Sequence, residues 1–145
     1  ELRVQAYLHD GPAGVVNNIA AYYRHSMELL RPDIRNDLFY RPGPILTKVK
    51  DEPPTRYRLS ADVRNSLVAN GCDIAGTVEN SILFRGVKVA EGATVRDSIV
   101  MQNGVVGPGS VLENCILDKE VVVRAEQQLR GARDLPFLAV KRKVI

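Results

Sequence analysis

Few residues of this 145-residue chain have the type and spacing that chemistry needs. His9 beside Asp10 has the parts of an acid/base pair, but His9-Asp10-Gly11-Pro12 is a turn signal, and a surface turn is the reading adopted. His25 has no second His, Cys or carboxylate four residues on, so it reads as a surface histidine. Cys72 and Cys115 are too few and too far apart for a disulfide framework or a metal-ligand set. Both read as buried thiols, which suits a reducing cytoplasm. Arg41, Lys48 and Lys50 stand within one proline-rich stretch. Cations so placed either keep a surface solvated or contact an anion, and spacing alone leaves both open. No catalytic residue and no metal ligand is expected anywhere in the chain.

The bulk properties narrow the classes further. A net charge of +3 is spread along the chain, and the densest cluster, Lys141-Arg142-Lys143, sits in a short tail. Nucleic-acid surfaces gather their cations on one face or interleave them with aromatics, so no nucleic-acid partner is expected. No apolar run approaches the 18 or so residues of a membrane span, and no charged-then-apolar leader is present. A cytoplasmic protein with no membrane partner is expected. The first residue, Glu1, is not Met, so the sequence is expected to begin inside a longer protein or after processing.

The elements that must position these residues are of three kinds. Leu2, Val4 and Ala6 alternate with Arg3, Gln5 and Tyr7, which permits a short strand. Over residues 15–30, Val16, Ile19, Ala20, Tyr23, Met27 and Leu30 make one apolar stripe at helical spacing, with Pro32 as the stop. From Asp33 to Pro54 four of the eight prolines fall at 42, 44, 53 and 54, as in a semi-rigid extended connector.

From Val63 the pattern changes again. Aliphatics return at Val63, Val68, Ile74, Val78, Leu83, Val89, Val95, Val100, Val106, Leu112, Leu117 and Val123, in steps of five or six residues with one step of four. Neither a helix nor a single strand has that period. Asn65-Ser66, Asn80-Ser81, Asp97-Ser98 and Asn114-Cys115 recur 15, 17 and 17 residues apart, each before an aliphatic. The repeat predicts a stack of three-sided coils, anchors inward, with the Asn/Asp residues laddered at one corner and satisfying turn amides. Roughly three and a half to four coils fit between Val63 and Val123. If the four-residue step marks an error of register, Val78 points outward. Both ends need caps, and the apolar residues of 124–145 are suited to one of them.

Val106-Gly107-Pro108-Gly109-Ser110-Val111 and Val89-Ala90-Glu91-Gly92-Ala93-Thr94 resemble the hexapeptide motif of left-handed parallel β-helices. The expected fold is therefore mainly β, a left-handed parallel β-helix preceded by a short helical segment and a Pro-rich linker. Asn65 to Cys72, Val78 to Val87 and Leu117-Asp118-Lys119 resemble more narrowly the C-terminal domain of glucose-1-phosphate adenylyltransferase. Ile19 to Tyr23 with Met27 to Leu30 resembles the last helix of that family's nucleotidyltransferase domain, and Pro44 to Lys50 its linker. Ser81 to Val87, Ser98 to Gln102 and Leu129-Arg130-Gly131 are similar to the regulatory-type subunit (the GlgD kind) of bacterial glycogen synthesis.

The resemblance implies three parts: 1–32 as the end of a nucleotidyltransferase domain, 33–62 as linker, and 63–145 as β-helix with its C-terminal cap. It implies oligomer assembly and allosteric control of a reaction that joins ATP and glucose 1-phosphate into ADP-glucose and pyrophosphate. The family's Gly-rich, Arg-containing phosphate loop has no counterpart here, so these residues are expected to be inactive alone. No cofactor is expected in them; Mg²⁺ belongs to the full-length catalytic enzyme. The implied partner is a catalytic subunit of that enzyme, or another copy through the β-helix. Sugar-phosphate effectors are anions, which makes Arg41, Lys48 and Lys50 the candidate effector-binding residues. The tail of a catalytic subunit is the alternative. A hexapeptide acyltransferase fits less well, because those enzymes use a histidine near the coils and both histidines here precede the repeat.

Overall fold

A computed structural model describes residues 3–9, 13–40, 45–46 and 50–145. Fifteen short strands lie in three parallel sheets of five, each sheet one face of a prism. Face A is built by Arg56–Tyr57, Asp73–Ile74, Lys88–Val89, Val105–Val106 and Val122–Val123. Face B comprises Asp62–Arg64, Thr77–Glu79, Thr94–Arg96, Val111–Glu113 and Gln128–Arg130. Face C comprises Leu67–Val68, Ile82–Leu83, Ile99–Val100, Cys115–Leu117 and Phe137–Ala139. Strands adjacent in sequence lie on different faces, so every pairing joins one coil to the next.

Register follows the aliphatic series. Ile74, Val89, Val106 and Val123 stack on face A, Val78, Val95, Leu112 and Leu129 on face B, and Leu83, Val100, Leu117 and Ala139 on face C. From Ile74 to Val123 the side chains of this series are essentially inaccessible to solvent. Val78 points inward and is 0% exposed, so the four-residue step is a real shortening of one corner and the expected register holds. That corner turns through Ala75 and Gly76. A Cβ on Gly76 would stand 2.4 Å from the Ala93 carbonyl oxygen and 2.7 Å from that of Ala90, which is why only glycine fits.

The expected Asn/Asp ladder forms, with a different division of labour. Asn65, Asn80, Asp97 and Asn114 all hold positive φ, from 42° to 50°, the left-handed region that Asn and Asp tolerate best among residues with a Cβ. The turn amides are satisfied by the residue after each. Ser66 Oγ accepts from the Ser81 N–H at 3.1 Å, Ser81 Oγ from Ser98 N–H at 3.1 Å, and Ser98 Oγ from Cys115 N–H at 3.0 Å. Each hydroxyl also donates to the carbonyl two residues back. Cys115 closes the ladder. The next residue in the series, Ala132, gives its N–H to the Leu135 carbonyl, so no amide needs the Cys115 sulfur as acceptor. The thiol donates instead to the carbonyls of Glu113 and Leu129, and burial pushes its pKa up to about 11.

The C-terminal residues cap one end. Val144 bridges in parallel to Val122, backbone bonds tie Lys143 and Ile145 to Val122 and Arg124, and Ile145 packs on the core. The other end departs from expectation. The first coil starts at Arg56, seven residues before the aliphatic series, and Tyr57 occupies its inward register opposite Ile74.

Upstream, α1 spans Ile19–Glu28 and α2 spans Pro32–Phe39. Asn18 starts α1 by accepting the Ala21 N–H at 2.7 Å. Pro32 is the first residue of α2 as well as the barrier after α1, a position where its missing N–H costs nothing. Residues 33–39 are thus helical where an extended connector was expected. The connector's prolines all lie beyond them, at 42, 44, 53 and 54. Residues 3–9 form no strand; they are exposed coil.

Candidate functional site

The outward side chains of face C decide where the helix goes. Leu67, Ile82, Ile99, Ile116 and Leu138 alternate with the inward column and make an aliphatic stripe on the outside of the prism. Such a stripe must be covered, and α1 covers its middle. Ile99 and Ile116 are buried there against Tyr23, with Tyr22, Met27, Ile82, Phe84 and Met101 around them. The stripe expected to face inward does so only in part: Tyr23 is buried and Ala20, Met27 and Leu30 are half-buried, while Val16 and Ile19 stay 59% and 47% exposed, and Ala21, outside the stripe, is buried. A flat sheet is met by two neighbouring tyrosines, and this rotates the helix away from its Val16–Ile19 edge.

Tyr23 ties the two parts together. Its hydroxyl donates to the Asp97 carbonyl at 2.5 Å and lies 3.2 Å from Asn114 Oδ1. Both acceptors belong to the left-handed corner, so the helix is fastened where the coil is most constrained. Burial, then the nearby Asp97 carboxylate, push the phenol up to about 12.

A cleft of about 490 Å³ runs between α1 and this corner. Arg24, Arg31 and Arg133 line it opposite Glu28, Asp97 and Asp134, so its charges balance. Arg31 is bidentate to Asp33, and Glu28 accepts from His25 Nδ1 at 2.9 Å. His25 is thus the partly exposed histidine the sequence suggested, held by a carboxylate three residues on. The cleft escaped sequence reading because Arg133 lies more than a hundred residues from Arg24 and reaches it only through coil stacking.

Among the expected effector contacts, Arg41 and Lys48 lie outside the described residues. Lys50 Nζ sits 2.6 Å from Glu52 Oε1, and this hydrogen bond, with the ammonium charge, draws the Glu52 pKa down. The Lys50 side chain is largely exposed, so solvent screens the pair and it is weak. Glu52 in turn lies against Gly71, and the Gly71 N–H donates to the Pro53 carbonyl, which anchors this basic segment to the first coils. Asp10 also lies outside the described residues. Among the described residues no group of three His, Cys, Asp or Glu side chains could hold a metal, and no helix is long and apolar enough to cross a membrane.

Residues 53–132 match the family model described as GlmU-like, C-terminal hexapeptide. The glycogen biosynthesis protein GlgD of Bacillus subtilis (strain 168) is 42% identical over 140 residues, covering 97% of this chain and 41% of the relative. GlgD of Geobacillus stearothermophilus is 59% identical over 70 residues, 48% of this chain and 20% of the relative. The glucose-1-phosphate adenylyltransferase of Acetivibrio thermocellus is 35% identical over 131 residues, 90% of this chain and 31% of the relative. The chain therefore spans about two-fifths or less of the length of these relatives.

Proposed function

Because the chain belongs to the GlmU-like, C-terminal hexapeptide family and is related to GlgD and the glucose-1-phosphate adenylyltransferases, we propose that it is the solenoid part of a regulatory-type subunit in glycogen synthesis. Its work is assembly with a catalytic glucose-1-phosphate adenylyltransferase subunit or with itself, and transmission of effector binding to ADP-glucose formation in the cytoplasm. The observation that carries this reading is the seat of α1 on face C. A helix pinned to the solenoid by a buried tyrosine gives the coils a mechanical hold on whatever α1 belongs to.

The reaction served is the attack of a glucose 1-phosphate oxygen on the α-phosphorus of ATP, with pyrophosphate leaving. It requires charge stabilisation around phosphates. Mg²⁺ supplies part of that in the full-length catalytic enzyme. The described residues offer it no ligand set, and no step of the reaction is assigned to them. Anionic effectors are assigned to Arg41, Lys48 and Lys50, where Lys50 already holds a displaceable carboxylate.

The test is effector titration of the full-length subunit paired with its catalytic partner. Lys48→Ala/Lys50→Ala should flatten the response and leave unstimulated activity in place; an unchanged response removes these residues from the effector site. A second reading, the tail of a catalytic subunit, is favoured by the 35% identity to the Acetivibrio thermocellus enzyme over 90% of the chain. Nucleotidyl transfer by the full-length protein without any partner subunit would select it.

A further inference from the structure

The cleft between α1 and the left-handed corner has a lining that neither assembly nor effector contact uses. Its two walls are held against each other. On one side Asn65, Asn80 and Asp97 sit at positive φ, of 42°, 46° and 46°, on a backbone tied by the hydroxyl ladder. On the other, α1 is fastened by the Tyr23 hydroxyl to the Asp97 carbonyl, and so to the same corner. The space between them, about 490 Å³, falls within the range of about 300–1,000 Å³ typical of small-molecule sites.

Much of the polar lining is unspent. Asn65 Nδ2 donates to Asn80 Oδ1 at 2.8 Å, which leaves Asn65 Oδ1 as an acceptor and Asn80 Nδ2 as a donor. The carboxylates of Asp97 and Asp134 and the guanidinium groups of Arg24 and Arg133 make no hydrogen bond or ion pair among the described residues. Ala20, Met27 and Leu30 add apolar surface beside Tyr23.

This lining selects a chemistry. Three arginines share the cleft with three carboxylates, so neither an anion nor a cation gains a net attraction. A wholly apolar molecule would leave donors and acceptors alike without partners. A sugar ring meets both demands. Each hydroxyl donates one hydrogen bond and accepts others, so neighbouring hydroxyls engage a carboxylate and a guanidinium together, while the C–H face of the ring covers apolar surface.

We propose that this cleft binds a neutral oligosaccharide, its hydroxyls held by Asn80 and Asp97 of the corner, by Arg133 and Asp134 of the last coil and by Arg24 of α1. A ligand that touches both walls binds only while α1 is docked, so occupancy holds the helix on the solenoid. The site lies at the opposite corner of face C from Gly71, against which Glu52 and its partner Lys50 are set, and it rests on neither the effector contacts nor the assembly proposed above.

Calorimetric titration of the full-length subunit with maltotriose and with cellotriose tests the inference, with hydrogen exchange of α1 amides followed in parallel. Saturable binding of at least one trisaccharide is expected, together with slower exchange in α1; a preference between the two sets the glycosidic linkage the cleft accepts. Arg133→Ala and Asp134→Ala should each weaken binding roughly tenfold, the worth of one hydrogen bond to a charged group. Both residues are exposed, so the melting temperature of the free protein should not change. Lys50→Ala should leave the affinity as it is. No binding of either sugar at millimolar concentration overturns the proposal. Binding that survives both substitutions places the sugar elsewhere and overturns it as well, as does binding that leaves exchange in α1 unaltered.

Discussion

Ser98→Ala should be among the most damaging single-atom deletions in this chain. Ser98 is 0% exposed, donates to the Arg96 carbonyl at 2.7 Å and accepts the Cys115 N–H at 3.0 Å. Removing Oγ does not orphan the Arg96 carbonyl, which keeps the Asn114 N–H at 3.2 Å. It does orphan the Cys115 amide inside the prism. An unsatisfied buried donor costs about 1–3 kcal/mol, and a lost hydroxyl bond about 1 kcal/mol net. The expected loss is therefore about 2–4 kcal/mol. At on the order of 3 °C per kcal/mol for a chain of this size, the melting temperature should fall by roughly 6–12 °C. Ser66→Ala is the internal control: it frees the buried Ser81 N–H, but Ser66 itself stands at the partly exposed first rung, so a water taking the place of its Oγ can accept that N–H, and about 1 kcal/mol or less is expected. Thermal and urea unfolding followed by far-UV circular dichroism give both values. Equal, small effects at the two positions would mean that the hydroxyl ladder does not hold the corners, and the account of Cys115 as a rung needing no acceptor would fall with it.

Other consequences are as direct. Gly76→Ala drives a methyl into two backbone oxygens that cannot rotate away, so a loss of at least 2–3 kcal/mol is expected in the same unfolding assay. Tyr23 is held neutral in the folded state up to a pKa of about 12 against an ordinary value of 10.0. Its contribution to helix docking is complete below pH 10 and is lost as pH rises from 10 to 12, because the undocked phenol ionises first. Hydrogen exchange of α1 amides should speed up through that window, and Tyr23→Phe should raise exchange at every pH and abolish the pH-linked part.

The prism was legible because its anchors recur on three faces with a period that only a coil can generate, and Val78 made the register checkable. The hydroxyl ladder was half legible. Asn65, Asn80, Asp97 and Asn114 were seen, but a side chain that tolerates positive φ and one that accepts an amide look alike in sequence. The packing of α1 was misjudged at its edge. Helical spacing marks Val16 and Ile19 as apolar but says nothing of the flat surface that Tyr22 and Tyr23 meet. Clefts were not legible, since Arg24 and Arg133 become neighbours only after five coils are stacked.

Face B carries an outward column of its own: Arg64, Glu79, Arg96, Glu113 and Arg130, each in register with the next. Arg96 Nε meets Glu79 at 3.1 Å and Arg130 Nε approaches Glu113 at 3.9 Å, both on the surface, and each contributes a fraction of a kcal/mol. Their sign matters more than their strength. A stack of near-identical coils can misassemble by skipping one, since every strand offers a similar edge. Skipping here would set Arg64 on Arg96 or Glu79 on Glu113, and directly opposed like charges on neighbouring strands are destabilising. The alternation works as a parity check on the order of the coils: in the native register neighbouring charges are opposite, and a register that skips a coil sets like charges side by side.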